Sequence, residues 1–102
     1  MRYIQQTHSE RTPMKGDVCI LREAAEGKFV KFYAAIVNVS SDSLTIKRLF
    51  SSDSNGSRHL ITDVTPTGME YAAFLDSVVR KIRMTDLVRV IGRLSRRDMT
   101  YL

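Results

Sequence analysis

Few side chains in this 102-residue sequence could do chemistry. Its histidines are His8 and His59 and its single cysteine is Cys19, and none has a Cys, Asp or Glu at ligand-like spacing. No metal site and no cofactor is expected. A Ser-His-Asp relay needs a histidine held beside its nucleophile. His59, if in a strand, could reach Ser51 or Ser52 across a hairpin, but strand histidines are more often surface residues. The glycines are scattered and build no phosphate-cradling loop. One reaction needs none of these devices. In metal-independent RNA cleavage the ribose 2′-hydroxyl attacks the adjacent phosphate, and the protein supplies a base, an acid and a cation for the crowded phosphorane. Lys31, Arg48, Ser51 and Ser52 have the right chemistry for that task. The same serines would also serve to begin a turn, and the same cations to solvate a surface.

Charge points in a compatible direction. Sixteen Lys and Arg against 11 Asp and Glu give a formal net charge of +5 and a sequence pI near 9.7. The excess is concentrated at Arg80, Lys81, Arg83, Arg89, Arg93, Arg96 and Arg97, opposed within that stretch only by Asp86. Such clustering suits a phosphate backbone or an acidic protein as partner. Apolar residues at 43% and charged residues at 26% are ordinary globular values and exclude a wholly disordered chain, a collagen-like repeat and a coiled coil. Apolar runs such as Tyr33 to Val37 fall far short of the roughly 20 residues of a bilayer-spanning helix. The polar start MRYIQQTHSERTP has no apolar core of a signal peptide. A lone thiol inside an apolar run reads as buried and reduced, which fits the cytoplasm.

The elements that would position these residues are short. Residues 1–13 read as a flexible leader, with Tyr3 and Ile4 as its only contacts, and residues 14–102 as one domain. Lys15-Gly16-Asp17 turns into the buried run Val18 to Leu21, and Arg22 to Lys28 reads as a polar loop pivoting on Gly27. Phe29 to Val39 is β-branched, aromatic and continuous, as in a central strand buried on both faces. After Ser40 to Ser43, Leu44 to Phe50 reads as a strand with Leu44, Ile46 and Arg48 on one face. Asn55-Gly56 signals a hairpin and His59 to Val64 a returning strand. Tyr71 to Arg83 fits either helix or strand. Thr85-Asp86 could cap a short helix over Leu87 to Val90, and Ser95 with Asp98 forms a capping box for a final helix of about two turns. Four or five strands with a helical tail fit a small, strongly bent antiparallel β-barrel. The C-terminal third is expected to fold back beside the Phe29–Val39 ribbon and make a cationic trough.

At this point the order of motifs resembles a family. Lys15-Gly16-Asp17-Val18 is similar to the basic–Gly–Asp–Val opening of the MazF/PemK toxins. Leu75-Asp76-Ser77-Val78-Val79, Lys81-Ile82-Arg83-Met84-Thr85-Asp86 and Ile91-Gly92-Arg93-Leu94-Ser95 with Asp98-Met99 resemble their closing pattern. The resemblance implies a mainly β fold with short α, the small antiparallel barrel of the MazF/CcdB toxin type with a short C-terminal helix. It implies strands near residues 74–84, metal-independent cleavage of single-stranded RNA, a homodimer, and an acidic antitoxin peptide over the RNA groove. Lys31 stands where the family carries the Arg of an Arg-Pro pair, and the family's Ser or Thr falls on Ser51, with Ser52 beside it. Lys81 stands in place of a Gln. Lys31, Ser51 and Ser52 are thus the catalytic candidates, and Lys47, Arg48, Arg80, Lys81 and Arg83 the RNA-binding ones. A non-catalytic barrel that binds nucleic acid or an acidic protein through its basic C-terminal third is the alternative.

Overall fold

Gly16 takes a φ of +93°, a backbone conformation that favours glycine, and turns the chain into its first strand beside the Met99 side chain. Six strands follow: β1 (Asp17–Ala25), β2 (Lys28–Val39), β3 (Ser43–Phe50), β4 (His59–Leu60), β5 (Phe74–Arg83) and β6 (Leu87–Arg93). A four-residue helix, α1 (Arg96–Met99), ends the order. The computed structural model describes residues 12–53 and 56–102. Most of the expected leader, with Tyr3, Ile4 and His8, therefore lies outside the described residues, as does Asn55 of the expected hairpin turn.

The described strands form one antiparallel sheet in the order β4-β5-β3-β2-β1-β6. β5 and β6 are four places apart in that order, about 19 Å in a flat sheet. Only the 3-10 turn Met84–Asp86 joins them, and Arg83 to Leu87 can span at most roughly 14 Å when extended. The sheet must therefore curl, and it does so as a half-barrel: a mainly β fold with one short C-terminal helix, as expected. Inside the curl Cys19, Leu21, Phe32, Ala34, Ile36, Leu44 and Ile46 pack together, closed by Ile82, Met84 and Leu87. On the outer face Val18, Ala35, Leu49, Leu75 and Leu94 are covered by Ile61, Ala73 and the tail residues Met99 and Leu102. Each large aliphatic side chain buried in this way stabilises the fold by about 1.5–3 kcal/mol.

Several local expectations change. Arg22 to Lys28 is not a loop. The strands run through it to a two-residue turn at Glu26 and Gly27, with φ of 52° and 81°, the doubly positive geometry whose twist suits a hairpin. Beyond Leu21, β1 pairs only with β2, so the two strands project as an arm. The first residues of β2, Lys28 to Lys31, are consequently exposed, as is Asn38 near its end, and only Phe32 to Ile36 is covered on both faces. Leu87 to Val90 is strand, not helix: Leu87, Arg89 and Val90 pair with Leu21, Ile20 and Cys19 of β1, and Thr85-Asp86 belongs to the 3-10 turn. Tyr71 to Arg83 resolves as strand from Phe74 onward. β6 lies next to β1 and β5 next to β3, so the basic C-terminal third does not border β2. No described helix is long and apolar enough to cross a membrane.

Candidate functional site

Strand alternation builds a groove on the outer face of the sheet. Lys31 and Tyr33 are two residues apart on β2, and Tyr33 pairs with Leu49 of β3. Ser51 follows two residues after Leu49, so all four side chains share a face. A hollow of about 470 Å³ opens among them, walled by Ile20 and Met69 and reached by Arg48. A second hollow of about 280 Å³ adjoins it, sharing Ser51 and Met69 and extending past Glu70, Tyr71 and Ala72.

Beside this groove the opposite side chains of the same strands make a stack. The Arg80 guanidinium carbon lies 5.5 Å from the centre of the Phe32 ring, and that of Arg48 lies 4.8 Å from Phe32 and 4.9 Å from Phe50. Arg58 closes the row at 3.6 Å over Phe50. Cations over ring faces keep their charge while their flat sides are desolvated. Glu23, from the projecting arm, contacts Arg80 at 3.0 Å and Arg48 at 3.7 Å. Arg58 is held further by its bonds to the Ser52 carbonyl at 2.8 Å and from its own N–H to Asp53 at 3.1 Å.

The structure brings some expected residues together and separates others. Lys31, Arg48 and Ser51 meet at the groove. Arg80 stands in the neighbouring stack, and Ser52 contributes its carbonyl to Arg58. Lys47 instead donates to the Tyr101 carbonyl at 2.8 Å and pins the tail. Arg83 sits at the far end of β5 beside Asp86 at 3.5 Å, and Lys81 pairs in register with Thr45, toward that same end. His59 does not address Ser51 or Ser52 through any described contact. Its ring stacks on Tyr101 with centroids 3.4 Å apart, and its Nε2 is 4.0 Å from Asp98. Sequence reasoning missed Tyr33, Met69, Phe32, Glu23 and Arg58. Period-two alternation from Lys31 would have found Tyr33, whereas Glu23 and Arg58 arrive from an arm and a loop that no local pattern places.

The opening Gly16-Asp17 and the closing Gly92 to Asp98 residues hold the fold. Asp17 is fully buried, accepts the Met14 N–H at 2.9 Å and meets Arg93 Nη1 at 3.2 Å, so opening and closing motifs are tied to each other. Gly92 lies so close to the Pro66 carbonyl that no Cβ fits. Ser95 caps α1 by accepting the Asp98 N–H at 3.2 Å. Asp98 does not complete the capping box on its own helix. Its carboxylate accepts the Ser95 hydroxyl at 3.0 Å and reaches across to the N–H groups of Thr62 at 2.9 Å and Asp63 at 3.1 Å. Those amides are therefore unavailable to a ladder, which is why the expected His59–Val64 strand shrinks to two residues and pairs with β5. Burial pushes the Asp98 carboxyl up, but the hydrogen bonds from Thr62, Asp63 and Ser95 outweigh it and hold it below the usual carboxylate value.

Comparison with protein-family models finds no match. Comparison with curated proteins finds none either.

Proposed function

We propose that the chain is a metal-independent endoribonuclease acting on single-stranded RNA, a diverged relative of the MazF/PemK toxins, with the Lys31–Ser51 groove as its cleavage site. The observation that carries this reading is the meeting of Lys31, Arg48 and Ser51 in one groove. A ribose 2′-oxygen held there attacks the adjacent phosphorus while the bond to the 5′-oxygen breaks. The products are a 2′,3′-cyclic phosphate and a 5′-hydroxyl. The 2′ proton passes through the Ser51 hydroxyl to bulk water as the 2′-oxygen attacks, and Tyr33 gives its phenol proton to the departing 5′-oxygen and regains one from water. Lys31 offers a point charge to the phosphorane, and Arg48, at the edge of the groove, binds the strand beside the scissile phosphate. On the same reading the working form is a cytoplasmic homodimer. An acidic antitoxin peptide covers the groove, matching its cations and the apolar surface of Met69 and the exposed Tyr71.

The test is digestion of single-stranded RNA by purified protein in EDTA. The expected result is cleavage with cyclic-phosphate ends, strongly slowed in Lys31→Ala and Ser51→Ala. A second reading, binding without cleavage, is favoured by one observation: the larger hollow has no histidine or carboxylate among its described lining residues to act as a strong base. RNA that stays intact in EDTA yet binds with a steep salt dependence would select that reading.

A further inference from the structure

Glu23 bridges two arginines on neighbouring strands. Its Oε1 accepts from Arg80 Nη2 at 3.0 Å, and its Oε2 lies 3.7 Å from Arg48 Nη1. One carboxylate thus spans two guanidinium groups carried by β5 and β3. The pair of non-bridging oxygens on a phosphodiester presents two acceptors of the same charge type. The two arginines do not depend on Glu23 for their placement, because the ring of Phe32 lies under both and that of Phe50 under Arg48. Arg48 is also under-used as a donor. Its contact with Glu23 is too long for a hydrogen bond, and its Nε is buried with no hydrogen-bond partner. Glu23 itself is free to leave: its side chain is 33% exposed, and it sits on the arm, where β1 pairs only with β2. Rotating it away opens no hole in either apolar cluster.

We propose that Glu23 is a built-in phosphate stand-in, and that Arg48 and Arg80 form a phosphodiester-binding subsite for single-stranded RNA that opens when Glu23 swings out. This rests on the RNA reading of the neighbouring groove and adds a second phosphate position beside it. Glu23 acts as an internal competitor, so an isolated anion must displace it alone, whereas a strand already held at Lys31 presents its next phosphate at high local concentration.

The experiment measures binding of a fluorescein-labelled single-stranded RNA dodecamer across a salt series, for the wild type, Glu23→Gln, Glu23→Ala, Arg80→Ala and the Glu23→Gln/Arg80→Ala double variant. Thermal melting of each accompanies it. In parallel, arginine Nε–H resonances are followed by NMR as inorganic pyrophosphate is added. Both Glu23 variants are expected to bind RNA roughly two- to fivefold more tightly, the scale of one exposed ion pair removed as competitor. The gain should vanish in the double variant. Pyrophosphate should move the Arg48 and Arg80 resonances at lower concentration in Glu23→Gln than in the wild type. Equal or weaker RNA binding by folded Glu23 variants, with no pyrophosphate response, overturns the proposal and leaves Glu23 a structural ion pair. A pyrophosphate response without RNA binding by any variant sinks the RNA reading and keeps the anion subsite. RNA binding and cleavage unaffected by Glu23 or Arg80 keeps the groove and removes the subsite.

Discussion

Asp98 Oδ1 accepts the backbone N–H of Thr62 at 2.9 Å, which ties the C-terminal helix to the segment that follows β4. The carboxylate is fully buried, so the charge is held by hydrogen bonds and not by water. Replacing it with Asn keeps one acceptor but turns an amide N–H₂ toward a neighbouring backbone N–H. Asp98→Asn is expected to cost about 1–3 kcal/mol, roughly 4–8 °C of melting temperature per kcal/mol in a domain of this size.

The same carboxyl sets an acid limit. Its value in the folded protein lies below the ordinary one, burial raising it and the bonds from Thr62, Asp63 and Ser95 lowering it more. A depressed folded value means that the contribution is fully present above the unfolded value, about 3.9, and is lost as pH falls through the folded one. Melting temperature should therefore drop on acidification below about pH 4 in the wild type, and the drop should be smaller in Asp98→Asn. Parallel acid profiles in the two proteins would show that other carboxyls set the limit.

Gly92 is required by a close approach. Its φ is not positive, and a Cβ there would run into the backbone carbonyl of Pro66, which belongs to the 3-10 turn Thr65–Thr67. Gly92→Ala should therefore destabilise by about 3 kcal/mol, the upper end for overpacking, and Gly92→Val by more. Urea unfolding measures both. A Gly92→Val protein with wild-type stability would mean that the turn moves freely, contrary to the packing of β6 against it.

These contacts explain what could be read from the residues alone. The run Val18–Leu21 announces a strand because both of its faces are covered, Val18 by the outer cluster and Cys19 and Leu21 by the inner one, and Leu44 and Ile46 announce theirs by alternating onto the inner face. Ser95 announces its cap because the signal is local, three residues long. The partner of Asp98 was not legible, since Thr62 and Asp63 lie more than thirty residues away and nothing in their types asks for a carboxylate. Arg22 to Lys28 misled because Glu26 is an unusual residue at positive φ, where Asn or Asp would have declared the turn. The basic C-terminal cluster looked like one surface because neighbours in sequence were read as neighbours in space. Sheet order sends β5 to β3 and β6 to β1 instead. For the site, Lys31 and Ser51 were legible by residue type, and Glu23 was not, because only the projecting arm carries it to the arginines.

Lys31 and Lys47 make a discriminating pair. Lys31 lies on the exposed part of β2 at the groove, and Lys47 holds the Tyr101 carbonyl at 2.8 Å. Lys31→Ala should lower RNA cleavage by about a hundredfold, as removing one charge-stabilising donor does, with stability changed by less than about 0.5 kcal/mol. Lys47→Ala should leave cleavage near wild type. Cleavage rates and melting curves on the same preparations check both halves. Equal cleavage by Lys31→Ala and wild type would remove Lys31 from the site.

Cys19 provides a probe of how the sheet opens. It is fully buried on β1, its thiol donates to the Ala34 carbonyl at 3.6 Å, and burial together with the negative charge of Asp17 pushes it up to about 12. At pH 8 almost no thiolate exists in the folded protein, and the thiolate is the reactive form. Labelling by a thiol reagent should therefore be very slow in native buffer and complete within minutes in concentrated guanidinium. The sequence holds no other cysteine, so the native rate reports separation of β1 from β2 without correction for other sites. Asp98→Asn loosens the tail and not this hairpin, and should leave that rate unchanged if the two regions open independently. Prompt native labelling of the wild type would show instead that β1 leaves the sheet readily, and that the inner cluster is not the stable half of the fold.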